Sequence, residues 1–144
     1  MSRLPPRVLI VDDNDLMRAL LRTILRSKQY DVIGEAGNGV DALELAERLR
    51  PDIICLDIMM PEIGGLEALE TIKTMYPQIV VVMVTGSPSV DNVREAIQGG
   101  ASGFIIKPFN AGKVLDTVNR AWQSARKLAA CRTWSPGNRQ ILLF

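Results

Sequence analysis

The sequence predicts an α/β fold, (βα)5, in which five strands and five helices alternate in a doubly wound three-layer sandwich. Three observations point there. Four short runs, Val8–Val11, Ile53–Leu56, Ile79–Val84 and Phe104–Ile106, are continuously apolar and largely β-branched. Such runs read as strands buried on both faces of a parallel sheet. The segments between them repeat apolar residues at helical spacing. The connections are short, so right-handed crossovers lay helices on both faces of the sheet. The five-stranded doubly wound order is 2-1-3-4-5, with a switch point between strands 1 and 3.

The elements follow in order. Strand 1 is Val8–Val11, and the first helix carries Leu16, Leu20 and Ile24 with Met17, Leu21 and Leu25. Asp31–Ala36 is less apolar and reads as an edge strand. Val40, Leu43, Ala46 and Leu49 mark the second helix, with Asn38 three residues before Asp41 as its start signal. Strand 3 is Ile53–Leu56. Leu66, Leu69, Ile72 and Tyr76 mark the third helix, which Pro77 stops. After strand 4, Ser87 before Pro88 signals the fourth helix, with Val90, Val93, Ala96 and Ile97 as its stripe and Gly99-Gly100 as its stop. After strand 5, Asn110 opens the fifth helix, striped by Val114, Val118, Ala121, Trp122, Ala125 and Leu128.

The chain has 144 residues, 47% hydrophobic and 23% charged, with net charge +1. That size suits one domain with a core large enough to need no disulfides. We read 1–6 as a lead, 7–125 as the domain and 126–144 as a basic extension. The absence of histidine excludes Ser-His-Asp and Cys-His triads, histidine metal ligands and a phosphohistidine on this chain. Cys55 and Cys131 form no CxxC, so neither a zinc site nor a disulfide scaffold is suggested. A reducing, cytoplasmic setting is expected, without a signal peptide or membrane insertion. The charge is unevenly spread. Up to Asp116 there are 12 Lys+Arg against 16 Asp+Glu, whereas from Thr117 onward there are five basic residues and no acid.

Chemistry concentrates where the strands end. Strand 1 ends in Asp12-Asp13, strand 3 in Asp57, strand 4 in Thr85 and strand 5 in Lys107-Pro108. Taken singly, each has an ordinary explanation as a helix cap, a turn residue or a solvated charge. Together they meet at the rim where doubly wound folds bind ligands. Three converging carboxylates repel one another unless a cation sits among them, and oxygen donors suit Mg²⁺ or Mn²⁺. A carboxylate is already ionised at neutral pH and can attack phosphorus without a base. Asp57 is the best nucleophile candidate, with Asp12 and Asp13 holding metal. Lys107 supplies a point charge and Thr85 a hydroxyl donor for the phosphoryl oxygens.

Val-Leu-Ile-Val-Asp12-Asp13, Glu35-Ala36-x-x-Gly39, Pro51-Asp52 through Asp57-Ile-Met-Met-Pro61, Gly65-Leu66-Glu67, Val84-Thr85-Gly86 and Gly103-Phe104-Ile-Ile-Lys107-Pro108-Phe109 stand in one order at fixed spacings. This set resembles the receiver domain of bacterial response regulators, stand-alone and chemotaxis-regulator-like, over roughly residues 7–125. The resemblance implies a flavodoxin-like fold and a phosphorylation-activated switch, not a turnover enzyme. It implies phosphorylation of Asp57, with metal held by Asp13, Asp57 and the Met59 carbonyl and Asp12 acting mainly through water. It also implies a cis Lys107–Pro108 peptide and a structural role for Gly65. Thr85 and Phe104 become the switch pair, with Phe104 where many relatives carry Tyr and so unable to donate a hydrogen bond outward. Gly86 leaves room for the phosphoryl group. Met59 and Ser87 occupy positions that tune self-dephosphorylation. Gly64 replaces a common Asp in the loop after Asp57.

The implied partners are a sensor histidine kinase or a histidine phosphotransfer protein, and a protein target on the face of helix 4, strand 5 and helix 5. The same face could also form a homodimer. Residues 126–144 are too short for a DNA-binding output domain, and their four basic residues form no ordered nucleic-acid motif, so direct nucleic-acid binding is not expected. Rival readings fit less well. A Mg²⁺-dependent aspartyl-phosphate phosphatase needs a second acid two residues beyond its nucleophile, where this chain has Met59. A flavodoxin-type FMN module wants a Ser/Thr-rich phosphate loop after strand 1, where Asp12-Asp13 would repel the phosphate. A phosphorelay intermediate or a phosphorylation-independent binding module are the alternatives within the family.

Overall fold

The computed structural model describes residues 4–86 and 88–133. Its elements are β1 (Arg7–Val11), α1 (Asp15–Arg26), β2 (Asp31–Ala36), α2 (Gly39–Leu49), β3 (Ile53–Asp57), α3 (Gly65–Met75), β4 (Val80–Thr85), α4 (Val90–Gln98), β5 (Gly103–Ile106) and α5 (Ala111–Thr133). The strands form one parallel sheet in the order β2-β1-β3-β4-β5. The expected (βα)5 architecture and strand order are therefore observed.

Alternation along the central strands builds two cores. Leu9, Val11, Ile54, Leu56, Val81 and Met83 point to one face, where α2, α3 and Ala96 of α4 cover them. Val8, Ile10, Ile53, Cys55, Val80, Val82 and Val84 point to the other, under α1 and α5. A strand covered on both faces cannot alternate with polar residues, which is why these runs are apolar throughout. Cys55 lies wholly inside the second core, and burial pushes its thiol up to about 12, so it stays an inert core residue.

Helix ends largely follow the local signals. The Asn38 side chain accepts from the Asp41 N–H, and that of Asn110 accepts from the Lys113 N–H at 2.8 Å. Gly99 caps α4 at its C-terminus, and α3 ends at Met75, two residues before Pro77. Two expectations are corrected. The α4 cap is Ser89, whose hydroxyl accepts from the Asn92 N–H, because the helix begins later than the Ser87-Pro88 pair suggests. Several stripe residues are not core. Leu16, Leu20, Val40, Val90 and Ile97 are exposed, and in α4 only Ala96 is buried. Helical spacing places residues on one side of a helix, but the strands beneath decide how wide a strip is covered. In α2 the strip is Gly39, Ala42 and Ala46, narrow enough for close packing.

No secondary-structure break falls at residue 125, since α5 runs on to Thr133. The lead residues 1–3, Ser87 and the extension from 134 lie outside the described residues. Among the described residues no helix is long and apolar enough to cross a membrane.

One close contact ties a helix to the site. The Gly65 N–H donates to the Ile58 carbonyl at 2.8 Å, and a Cβ on Gly65 would stand 2.0 Å from the Asp57 carbonyl oxygen. Gly65 thus lets α3 seat directly on the end of β3. At Gly64 a Cβ would meet nothing nearer than the Ile58 carbonyl at 3.7 Å. Urea unfolding should therefore separate the two. Gly65→Ala is expected to cost about 1–3 kcal/mol or more through overpacking against rigid backbone. Gly64→Ala should stay within roughly 0.5 kcal/mol of wild type, as for surface substitutions.

Candidate functional site

Strand register brings the polar residues level at one rim. Val11 pairs with Leu56, so the next residues, Asp12 and Asp57, stand side by side on β1 and β3. The Asp12 N–H continues the ladder to β2 by donating to the Ala36 carbonyl at 3.0 Å. Thr85 ends β4, and the Lys107 N–H donates to the Thr85 carbonyl at 2.8 Å, which sets Lys107 beside it. The peptide between Lys107 and Pro108 is cis.

Asp12, Asp57 and Thr85 are buried, whereas Asp13 is exposed. One carboxylate oxygen from each of Asp12, Asp13 and Asp57 lies within 4.8 Å of the others. The Lys107 ammonium reaches between two of them, donating to Asp12 Oδ2 at 2.8 Å and standing 3.6 Å from Asp57 Oδ2. Asp12 Oδ1 accepts from the Asn14 N–H at 2.8 Å, while Asp57 Oδ1 accepts from the Met59 N–H at 3.3 Å. Asn14 in turn caps α1. A three-carboxylate, all-oxygen donor set of this kind fits a hard divalent cation such as Mg²⁺.

The electrostatics agree with that donor set. Burial, aided by the neighbouring Asp12 charge, pushes the Asp57 carboxyl up to about 6, although Lys107 and the Met59 N–H pull the other way. Burial also works against the Lys107 ammonium. The Asp12 hydrogen bond and the Asp57 charge outweigh it and hold Lys107 above the ordinary lysine range.

The remaining candidates are placed as follows. A Cβ on Gly86 would approach only Lys107 Cβ, at 3.9 Å, so space is open beside that lysine. Phe104 on β5 is half-buried and packs against the α2–α4 core. The Met59 side chain is 60% exposed at the rim, beside Asp57 in sequence but outside the core. Two residues that hold Asp12 escape a sequence reading, namely Asn14 and Arg18. Arg18 Nη1 donates to the Asp12 carbonyl at 2.5 Å. The available signal was Arg18 and Arg22 one turn apart on α1, both reaching Glu35 of β2.

The raised Asp57 pKa has a defined consequence for stability. Ionised Asp57 costs native stability above about pH 6, and the cost is relieved as pH falls toward the ordinary carboxylate range. In metal-free buffer near neutral pH, Asp57→Asn should be the more stable protein, by about 1–2 kcal/mol after allowance for solvent screening. Chemical denaturation should show that margin shrinking as pH drops through about 6 toward 4. Added Mg²⁺ should shrink it too, by stabilising the wild type. An Asn variant no more stable than wild type would contradict the charge balance described.

Known proteins match this arrangement. Residues 8–119 match the response regulator receiver domain family. The chain is 45% identical over 114 residues to Protein CcdB of Bacillus subtilis, covering 79% of this chain and 95% of that protein. It is 40% identical over 115 residues to the chemotaxis protein CheY of Listeria monocytogenes, covering 80% and 97%. It is also similar to a chain in the crystal structure of the CheX-CheY-BeF3-Mg+2 complex from Borrelia burgdorferi. That match has 32% identity and a TM-score of 0.78, and covers 80% of this chain and 87% of that one. Sheet order, acidic rim and sequence thus agree, and the chain belongs to the response regulator receiver domain family of two-component signalling proteins.

Proposed function

We propose that this chain is a phosphorylation-activated switch that accepts a phosphoryl group on Asp57 from a partner histidine kinase or histidine phosphotransfer protein. The observation that carries the reading is the juxtaposition at the rim. A buried carboxylate stands within 4.8 Å of two others, with an ammonium 3.6 Å away. Asp12, Asp13, Asp57 and the Met59 carbonyl would hold Mg²⁺, which supplies positive charge to the phosphoryl oxygens when bound.

The chain's own residues account for the rest. An Asp57 oxygen forms the new bond to phosphorus as the phosphorus–nitrogen bond of the donor histidine breaks, and the imidazole leaves with that electron pair. No histidine occurs among these 144 residues, so the donor histidine lies outside them. Lys107 lies where its ammonium can move from Asp12 to a phosphoryl oxygen, and Thr85, at the end of β4, would donate its hydroxyl to another. Space beside Gly86 admits the group. Phe104 follows Thr85 as the second switch residue and alters the face of α4, β5 and α5. That face already exposes Val90, Ile97 and Ile106 to an apolar protein target or to a second copy. Turnover of free substrates is not expected, and we place the protein in the cytoplasm, where its kinase partner's catalytic portion resides.

Incubation with acetyl phosphate and Mg²⁺ tests this by intact mass. A single phosphoryl adduct is expected, absent without Mg²⁺ and absent in Asp57→Asn. An adduct that survives Asp57→Asn would overturn the assignment. A second expectation concerns lifetime. Met59, two residues beyond Asp57, would shield an acyl phosphate from water with an apolar side chain, so Met59→Asn should shorten the phosphoryl half-life several-fold in a decay assay.

A further inference from the structure

We infer that Arg18 is a positioning residue for the metal-binding aspartates, acting as a clamp on the peptide that joins Asp12 to Asp13. The inference rests on the reading of that acidic cluster as a Mg²⁺ site. Four contacts fix Asp12. Its N–H donates to Ala36, its carboxylate oxygens accept from Asn14 and Lys107, and its carbonyl accepts from Arg18 Nη1. Asp13 differs. It is exposed, and among the described residues no side-chain hydrogen bond directs its carboxylate. Its direction therefore depends on the backbone, and the Asp12 carbonyl belongs to the peptide unit that carries the Asp13 N–H.

The clamp is itself anchored on two elements. Arg18 Nε stands 3.4 Å from Glu35 on β2, and its Nη2 pairs with Asp15 in the first turn of α1. Glu35 also pairs with Arg22, so two arginines share one carboxylate. The guanidinium is mostly buried, with 18% of the side chain exposed. It thus ties β1, α1 and β2 together on the side of Asp12-Asp13 away from Lys107. A planar fork with five donors can hold a carbonyl and two carboxylates at once, whereas a lysine ammonium on this stem cannot. Its positive charge also eases the repulsion that the acidic cluster would otherwise suffer.

The test is Mg²⁺ titration of the full chain by calorimetry, alongside metal-free thermal melts of each variant. Arg18→Ala should weaken Mg²⁺ binding by about tenfold, the usual scale for groups that orient metal ligands. Arg18→Lys should weaken it nearly as much, since charge alone does not restore the clamp. Glu35→Gln, which loosens the anchor, should show a smaller loss and serves if Arg18→Ala does not fold. With acetyl phosphate, the Mg²⁺ concentration for half-maximal phosphorylation should rise while the saturated rate holds. A purely structural role would lower melting temperature and leave Mg²⁺ affinity unchanged, which would overturn the inference. Full restoration of affinity by Arg18→Lys would overturn it as well. A wild type that binds no Mg²⁺ sinks both this inference and the site reading, whereas equal affinity in wild type and Arg18→Ala sinks this one alone.

Discussion

Carboxylate repulsion at one rim is the constraint on which the rest of the site depends. Asp12 and Asp57 are both buried, at the ends of adjacent strands, with Asp13 beside them. Like charges at that separation, partly withdrawn from water, cannot all stay ionised without compensation. Lys107 provides part of it, coming from 95 residues along the chain to bond Asp12 and approach Asp57. Burial raises Asp57 most, and the Asp12 charge adds to it despite Lys107, so its carboxyl is held up to about 6. A divalent cation among the three carboxylates would complete the compensation.

The fold makes this concentration of charge affordable in space and tolerable in energy. A parallel sheet puts every strand's carboxyl end at the same rim, and the switch between β1 and β3 opens a crevice there. The two cores on either side hold the strands in register through alternate apolar side chains. The register then sets Asp12 level with Asp57, and the Lys107 N–H to Thr85 bond sets the lysine level with the threonine. Gly65 brings α3 directly onto the end of β3, so the strand that carries Asp57 is tied to a helix at the site.

The two faces of the molecule differ in what they leave uncovered. α1 buries Leu21, Ile24 and Leu25 but exposes Leu16 and Leu20, while α4 buries only Ala96 and exposes Val90 and Ile97. Sequence periodicity reads an α4 stripe as core, and the structure buries only Ala96 of it and leaves Val90 and Ile97 exposed.

Much of this was legible in the sequence because a doubly buried strand leaves a distinctive trace. Its apolar run ends abruptly where the backbone reaches the rim, so Asp12, Asp57, Thr85 and Lys107 could be named from the residue that follows each run. Asn38 and Asn110 were legible as caps because a cap acts within three residues of its own position. The rest depends on contacts between distant segments. Whether Leu16 or Ala42 enters the core is decided by which strand lies beneath, not by helical spacing. That Lys107 bridges Asp12 and Asp57, and that Arg18 grips the Asp12 carbonyl while leaning on Glu35, follow from strand order and crossover handedness. Local sequence determined which residues reach the rim; only the tertiary structure decided which of them meet, because the distances between strands belong to the sheet and to no single segment.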